Sequence, residues 1–209
     1  MNIIFHDNHL LVVEKEAGLL TQPTELCQDS LETRVKAWLQ KELNKEVVFL
    51  KTVHRLDKGV SGLVIFTRSS KATARMSKLI KDQKIKKTYF TEVEGLVKKD
   101  SGTLTHFLEK KEFIAKVYDI EQFDTKEAIL NYTVLKRNES TSVLKVELIT
   151  GRYHQIRAQL SYIGHPIVGD QKYGAKFKQA NIHLRHSILE FIHPVTQKLL
   201  RLQLPDTGF

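Results

Sequence analysis

The chain has 209 residues, 41% of them hydrophobic and 27% charged, which is ordinary for a globular protein and excludes a largely disordered one. No apolar run reaches the roughly 18 residues a membrane-spanning helix needs, no secretory leader is visible in MNIIFHDNHL, and the single Cys27 allows no internal disulfide, which fits a reducing cytoplasm. A net charge of +9 points to an anionic partner, with nucleic acid the first candidate.

Ile3 to Phe5 and Leu10 to Val13 read as two strands around a polar turn, His6 to His9. Glu14-Lys15-Glu16-Ala17-Gly18 follows, with Gly18 suited to a turn of positive φ. Asp29-Ser30-Leu31-Glu32 has the form of a capping box, Glu32 standing three residues after Asp29. Leu31, Val35, Trp38, Leu39 and Leu43 then recur at helical spacing, which assigns Trp38 to the core, and Asn44 suits the stop. Val47 to Leu50 is expected as a strand leading to the stretch from His54 to Ser69.

That stretch, HRLDKGVSGLVIFTRS, sets Arg55 and Asp57 two apart, before a Lys58-Gly59 bend and a buried strand from Leu63 to Thr67. Residues two apart on extended chain point the same way, so Arg55 and Asp57 can face one cleft while Leu56 anchors inward. Ionised Asp is rarely buried without a partner, and spacing alone reads the pair first as a structural ion pair. A helix follows, with Ala72, Met76, Leu79 and Ile80 as its apolar stripe and Arg68, Lys71, Arg75, Lys78 and Lys81 beside it. With Lys84, Lys86 and Lys87, eight basic residues stand against one acid, Asp82, between Arg68 and Lys87. Such a row is ordinarily a solvated face. Its density, one strand after Asp57, supports a phosphate-tracking surface whose affinity falls steeply with salt.

Lys87 to Gly95 alternates like a strand, as do Thr103 to Leu108, Ala115 to Ile120, Ala128 to Leu135 and Ser142 to Leu148, in which no chemistry is visible. Gly151 suggests a sharp entry into a helix that runs through Leu160 to Tyr162 and stops at Gly164. His106 is expected to be structural, and His165 and Asp170 to shape loops. Asn181 to Pro194 and Lys198 to Gln203 close the chain as a strand pair. No composition break or internal repeat marks a boundary, so one domain over 1–209 is expected.

HRLDKGVSGL resembles the catalytic signature of the RluA-type RNA pseudouridine synthases: His-Arg-Leu-Asp, two variable residues, Thr-Ser-Gly. Val60 stands where that family usually has Thr. ITGRYHQIRAQLSYIGHPIVGDQKYG, from Ile149 to Gly174, is similar to the family's second long signature. Glu14 to Gly18 resembles its Lys-Pro-x-Gly motif with Glu16 replacing Pro, and Leu184-Arg185-His186 stands where members commonly have Leu-His-Ala. The likeness runs from Ile3 to about Leu204, and the small S4 RNA-binding domain that precedes the catalytic part in several relatives is expected to be absent.

The resemblance implies an α+β fold, a single pseudouridine-synthase-like domain with a long mixed, mostly antiparallel sheet flanked by helices and a central cleft. It implies Asp57 as the catalytic carboxylate, Tyr89 against the target uracil and Arg157 paired with Asp57. His54, Arg55, Arg68, Lys71, Arg75, Lys78, Lys87, Arg152 and His154 are the expected RNA contacts, Arg55 being implicated in flipping the base.

Pseudouridine formation breaks the uracil N1–ribose bond, turns the base and rejoins it through C5, so no redox cofactor, nucleotide or metal is required. The chain has no Gly-x-Gly fingerprint, P-loop or His-Glu-x-x-His. His183 and His186, three apart on a strand, would face opposite sides, which argues against a metal pair. Asp57 could attack ribose C1′, remove the C2′ proton or attack uracil C6, and the residues do not separate these routes. A guanidinium within a few ångström would lower its pKa by roughly 1–3 units and hold it ionised.

The expected partner is a tRNA or rRNA stem-loop read by shape and splayed bases, with no membrane, no obligate protein partner and the monomer as default. Two other classes stay open. One is a catalytically weak RNA-binding module on the same scaffold, kept open by Glu16, Val60 and Arg185. The other is a DNA-binding regulator, which the charge fits but which lacks a helix-turn-helix or zinc-ligand pattern.

Overall fold

The computed structural model describes residues 1–205; the last four residues of the expected domain, 206–209, lie outside the described residues. The elements in chain order are β1 (Asn2–His6), β2 (Leu10–Lys15), α1 (Leu31–Leu43), β3 (Lys51–Thr52), β4 (Ser61–Thr67) and α2 (Ser70–Lys81). There follow β5 (Lys86–Glu94), β6 (Ser101–Lys110), β7 (Ala115–Tyr118), β8 (Lys126–Arg137), β9 (Thr141–Leu148), α3 (Gln155–Tyr162), a 3-10 turn (Gln171–Tyr173), β10 (Leu184–Ile192) and β11 (Leu199–Gln203). The class is α+β, with mostly antiparallel strands. The described residues divide into two compact units: Met1–Ile85 with Ile188–Leu204, and Lys86–Ser187 with Pro205.

In the first unit the strand order is β1-β2-β4, with β3 also on β4, and β11 folds back on the second half of β10. β2 reads LLVVEK and is apolar on both faces because both are covered: Leu10 to Val13 and Leu63 to Phe66 are fully buried. The pleat sorts them. Leu10, Val12, Leu63 and Ile65 form one core with Met76 of α2, Leu189, Phe191 and Leu204. Leu11, Val13 and Lys15 point to the other face, opposite Phe66, Val64 and Gly62. Each fully buried Leu, Ile or Phe stabilises by about 1.5–3 kcal/mol.

α2 keeps its expected stripe, with Ala72 and Met76 buried, and Ser69 caps it by accepting the Ala72 amide. α1 departs from expectation at its start. Its cap is Ser30, which accepts the Thr33 amide, while Asp29 pairs with Arg34 and Glu32 accepts from Gln22 and Thr52. Asn44 ends it in the left-handed region at φ 50°. Trp38 is half-buried, edge-on to His6, so the core assignment holds only in part. Val47 to Leu50 is not a strand. Val47 is 85% exposed, and only Lys51 and Thr52 pair with β4.

The second unit is an antiparallel array in the order β5-β9-β8-β6-β7. The four middle strands expected from alternation are β6 to β9. β7 stops at Tyr118, and Ile120 is 73% exposed. α3 packs against β6 and β7, with Ala158 in a cluster with Leu108, Ala115 and Ala128. The sharp entry into α3 is made by His154, at φ 53°, and not by Gly151. Among the described residues no helix is long and apolar enough to cross a membrane.

Candidate active site

Asp57 lies in the first unit, in the turn that feeds β4, and is half-buried. Its two neighbours are fastened. Thr21 Oγ1 donates to the Leu56 carbonyl at 2.7 Å and accepts the Leu56 amide at 3.1 Å, and Leu56 is buried as expected. On the other side the Lys58 carbonyl accepts the Gly18 amide at 2.8 Å and the Lys15 ammonium at 3.1 Å. Gly18 adopts φ 86°, the positive value its place in the motif suggested. The turn closes with the Val60 amide donating to the Asp57 carbonyl. Val60 is buried and Glu16 exposed, so neither departure from the family pattern removes a fastening.

His54 is held inward, its Nε2 accepting the Ile65 amide at 3.2 Å, whereas Arg55 is exposed. The basic row expected to track phosphates stands elsewhere. α2 packs on the Leu10 and Val12 face, while Lys15 reaches the Asp57 turn from the opposite face, so the row lies behind the strand pair as seen from the turn. Two of its members are already engaged: Arg68 donates to the Asp7 carbonyl, and Arg75 to that of Pro194 at 3.0 Å. Lys71 and Lys78 are exposed. Arg75, Lys78 and Lys84 edge an open groove of about 560 Å³, with Leu79, Ile192 and Pro194 on its walls.

Tyr89 and Arg157 belong to the second unit. Tyr89 is buried on β5 and stacked on His186, ring centroids 4.6 Å apart and planes 18° from parallel. Arg157 is buried on α3 and held bidentately by Asp170, Nε to Oδ2 at 2.6 Å and Nη2 to Oδ1 at 2.8 Å. Asp170, expected only to shape a loop, is therefore the counter-charge of Arg157. The guanidinium also lies 5.0 Å over the Tyr173 ring. Tyr173 is itself pinned: its hydroxyl accepts the Ala115 amide at 2.7 Å, and its carbonyl accepts Ser161 Oγ at 2.6 Å. Burial pushes the Tyr173 phenol up to about 12.

The other expected RNA contacts of this unit gather at the entry to α3. His154 stacks on Tyr153 at 3.9 Å, and its Nδ1 lies 2.9 Å from Tyr173 Oη. A non-glycine residue at positive φ is sparsely populated and marks a position the surroundings enforce. Lys87 Nζ would lie 3.3 Å from a Cβ on Gly151, so the lysine ends close against the Gly151 backbone. Burial lowers the Lys87 ammonium below the ordinary lysine range. Arg152 is exposed and donates through Nε to the Glu127 carbonyl. His183 pairs with Glu92 while His186 stacks on Tyr89, and no group of three metal-ligating side chains occurs among the described residues. His106, expected to be structural, is buried against Gln159.

A model of the RNA pseudouridylate synthase family matches residues 9–162. The chain belongs to that family. This synthase is of the RluA type: it is 31% identical to the dual-specificity RNA pseudouridine synthase RluA of Vibrio parahaemolyticus, over 98% of its own length and 82% of the relative's. It is 30% identical to the uncharacterized RNA pseudouridine synthase YhcT of Bacillus subtilis, over 98% and 68%. The chain spans between 56% and 82% of the lengths of eight curated relatives. Human RNA pseudouridylate synthase domain containing 4 shares its fold with a TM-score of 0.80 over 98% of this chain and 88% of its own, at 22% identity. Members of the family are isomerases that act on RNA.

Proposed function

We propose that this synthase converts one or more uridines of a tRNA or ribosomal RNA stem-loop to pseudouridine, with Asp57 as the carboxylate that engages the extruded nucleotide. The observation that carries this reading is the fastening of the Asp57 turn on both flanks, by Thr21 and by Lys15 with the Gly18 amide. A side chain whose neighbours are immobilised is aimed before substrate arrives, which is where much of an enzyme's advantage over solution chemistry resides. The choice of RNA draws on two relatives, one named a dual-specificity RNA synthase and one, from Rickettsia prowazekii, a ribosomal large subunit synthase.

Tyr89 gives the uracil a planar wall, and stacking of that kind contributes about 1–3 kcal/mol per base. Arg157, on a mount made rigid by Asp170 and Tyr173, is the guanidinium assigned to the catalytic carboxylate. Arg55, exposed two residues from Asp57, fills or guards the gap the flipped base leaves. The C1′–N1 bond breaks, a C1′–C5 bond forms, the C5 proton goes to water and N1 takes one up, so the product is an isomer of the substrate. Attack on C1′, on the C2′ proton or on C6 each begins from an ionised Asp57.

The test uses RNA tritiated at uracil C5, in separate tRNA and ribosomal RNA pools. Tritium is released to water from at least one pool by the wild type and from neither by Asp57→Ala. If both proteins bind RNA equally and neither releases tritium, the chain is a binding module instead.

A further inference from the structure

The groove edged by Arg75, Lys78 and Lys84 lies within the first unit, between α2 and the turn that joins β10 to β11. Its walls are held by hydrogen bonds. In the turn, His193 Nδ1 accepts the amides of Val195 at 3.2 Å and Thr196 at 3.0 Å. The Gln197 amide returns to the His193 carbonyl at 3.0 Å, with Gln197 at φ 58°. Arg75 ties helix to turn through the Pro194 carbonyl, using one of the five N–H donors of a guanidinium.

The floor is apolar: Pro194 is buried, Leu79 and Val195 are half-buried, and Ile192 is 43% exposed. The rim is cationic, with Asp82 the one acid among its lining residues. Among the described residues Arg75, Lys78 and Lys84 form no ion pair, so Asp82 does not neutralise them at contact range. A solvated lysine face offers charge alone. Here the charge surrounds a hollow of about 560 Å³, inside the range of small-ligand sites, about 300–1,000 Å³. The occupant that matches is an anion with a flat apolar part. A single strand of nucleic acid has both, since its phosphates and its unstacked bases are separately available. A duplex turns only its backbone outward and cannot lower a base onto the floor.

We infer that the α2 groove seats a single-stranded stretch of RNA, with a base on Leu79, Ile192 and Val195 and the flanking phosphates at Arg75, Lys78 and Lys84. The inference rests on RNA being the substrate. It concerns a stretch away from the target uridine, because α2 packs on the face of β2 opposite the one from which Lys15 reaches the Asp57 turn. The groove is a second hold on the RNA: it governs which RNAs are retained, not how fast the C1′–N1 bond breaks.

The probe is a fluorescein-labelled oligocytidylate of about eight nucleotides, within the footprint of single-strand grooves and without a uridine to enter the Asp57 site. Anisotropy is read on the whole chain across a salt series, with thermal melts of every variant. Lys78→Glu with Lys84→Glu weakens binding about tenfold or more and shallows the salt dependence by about 1.4, at about 0.7 for each phosphate of a single strand. Ile192→Ser weakens binding about threefold or more and leaves the salt dependence as it was, because the floor carries no charge. An abasic oligomer binds the wild type more weakly by a similar factor and is indifferent to Ile192→Ser. Lys98→Glu with Lys99→Glu, exposed in the second unit, makes the same change of net charge and alters affinity less than about twofold.

Equal weakening by the second-unit pair overturns the proposal, since binding then follows net charge. So does equal affinity for double-stranded RNA of the same length, or unchanged affinity in Ile192→Ser. Displacement by oligoglutamate of equal charge as readily as by unlabelled oligocytidylate overturns it in favour of an acidic peptide. Saturation by cytidine monophosphate, with no gain from chain length, overturns it in favour of a free nucleotide. Should Ile192→Ser fail to fold, the abasic oligomer decides. Tritium release is read on a different RNA and judges Asp57 alone, so either reading can fail without the other.

Discussion

The Asp57 turn and the Arg157 mount hold their charged side chains by different means. Around Asp57 the fastenings fall on the backbone of its neighbours, through Thr21, Gly18 and Lys15. Around Arg157 they fall on the guanidinium itself, through Asp170 and the face of Tyr173. The first arrangement aims a carboxylate by fixing the backbone on either side of it. The second fixes a cation by balancing it. A substitution near Asp57 should thus misdirect a charge, whereas one near Arg157 should strand one.

The sharpest way to break the contrast is Asp170→Ala. It removes a bidentate carboxylate from a buried guanidinium and should cost about 3–5 kcal/mol of stability, read by urea denaturation. A cost under about 1 kcal/mol would mean that the pair is as replaceable as a surface one. Thr21→Val comes next. It removes one donor and one acceptor from the buried Leu56 peptide groups and should cost about 1–3 kcal/mol, with a fall in kcat that exceeds any change in KM. An unchanged kcat in a destabilised protein would show that the flank does not aim Asp57.

The smallest expected effect is at α2, behind the strand pair. Lys78→Glu with Lys84→Glu should alter stability by no more than about 0.5 kcal/mol, because both are surface positions. Tritium release from a minimal stem-loop should stay as it was, while full-length RNA binds more weakly. The salt dependence of that binding should shallow by up to about 0.7–0.9 for each phosphate no longer neutralised. Equal weakening on both RNAs would put α2 in direct reach of the target loop.

Much of this was legible in the chain. Alternation located β6 to β9, the apolar stripe located α2, and two long motifs located Asp57 and Arg157. What stayed hidden depends on partners that meet only in three dimensions. The parity of LLVVEK says that Lys15 points inward with Leu11 and Val13, but not that Lys58, from a distant turn, supplies an acceptor. Asp170 sits among turn residues, and nothing in Gly169-Asp170 announces that Arg157 needs it. Val47 to Leu50 has the residues of a strand but no strand beside it to pair with, and propensity without a hydrogen-bonding edge is not enough. At His154 the surroundings impose a backbone angle that residue preference would have given to Gly151.

The first unit is not contiguous. Leu189, Phe191 and Leu204 complete the same core as Leu10, Val12, Leu63 and Ile65, yet they emerge from the ribosome only after the whole of Lys86–Ser187. Domains ordinarily fold as they are synthesised, first-made first. Here the order is reversed: the later segment can close while the nascent amino-terminal strands wait with an oily face uncovered. That interval is where a chaperone would engage the chain, and where a premature stop near Ile188 would harm residues made long before it.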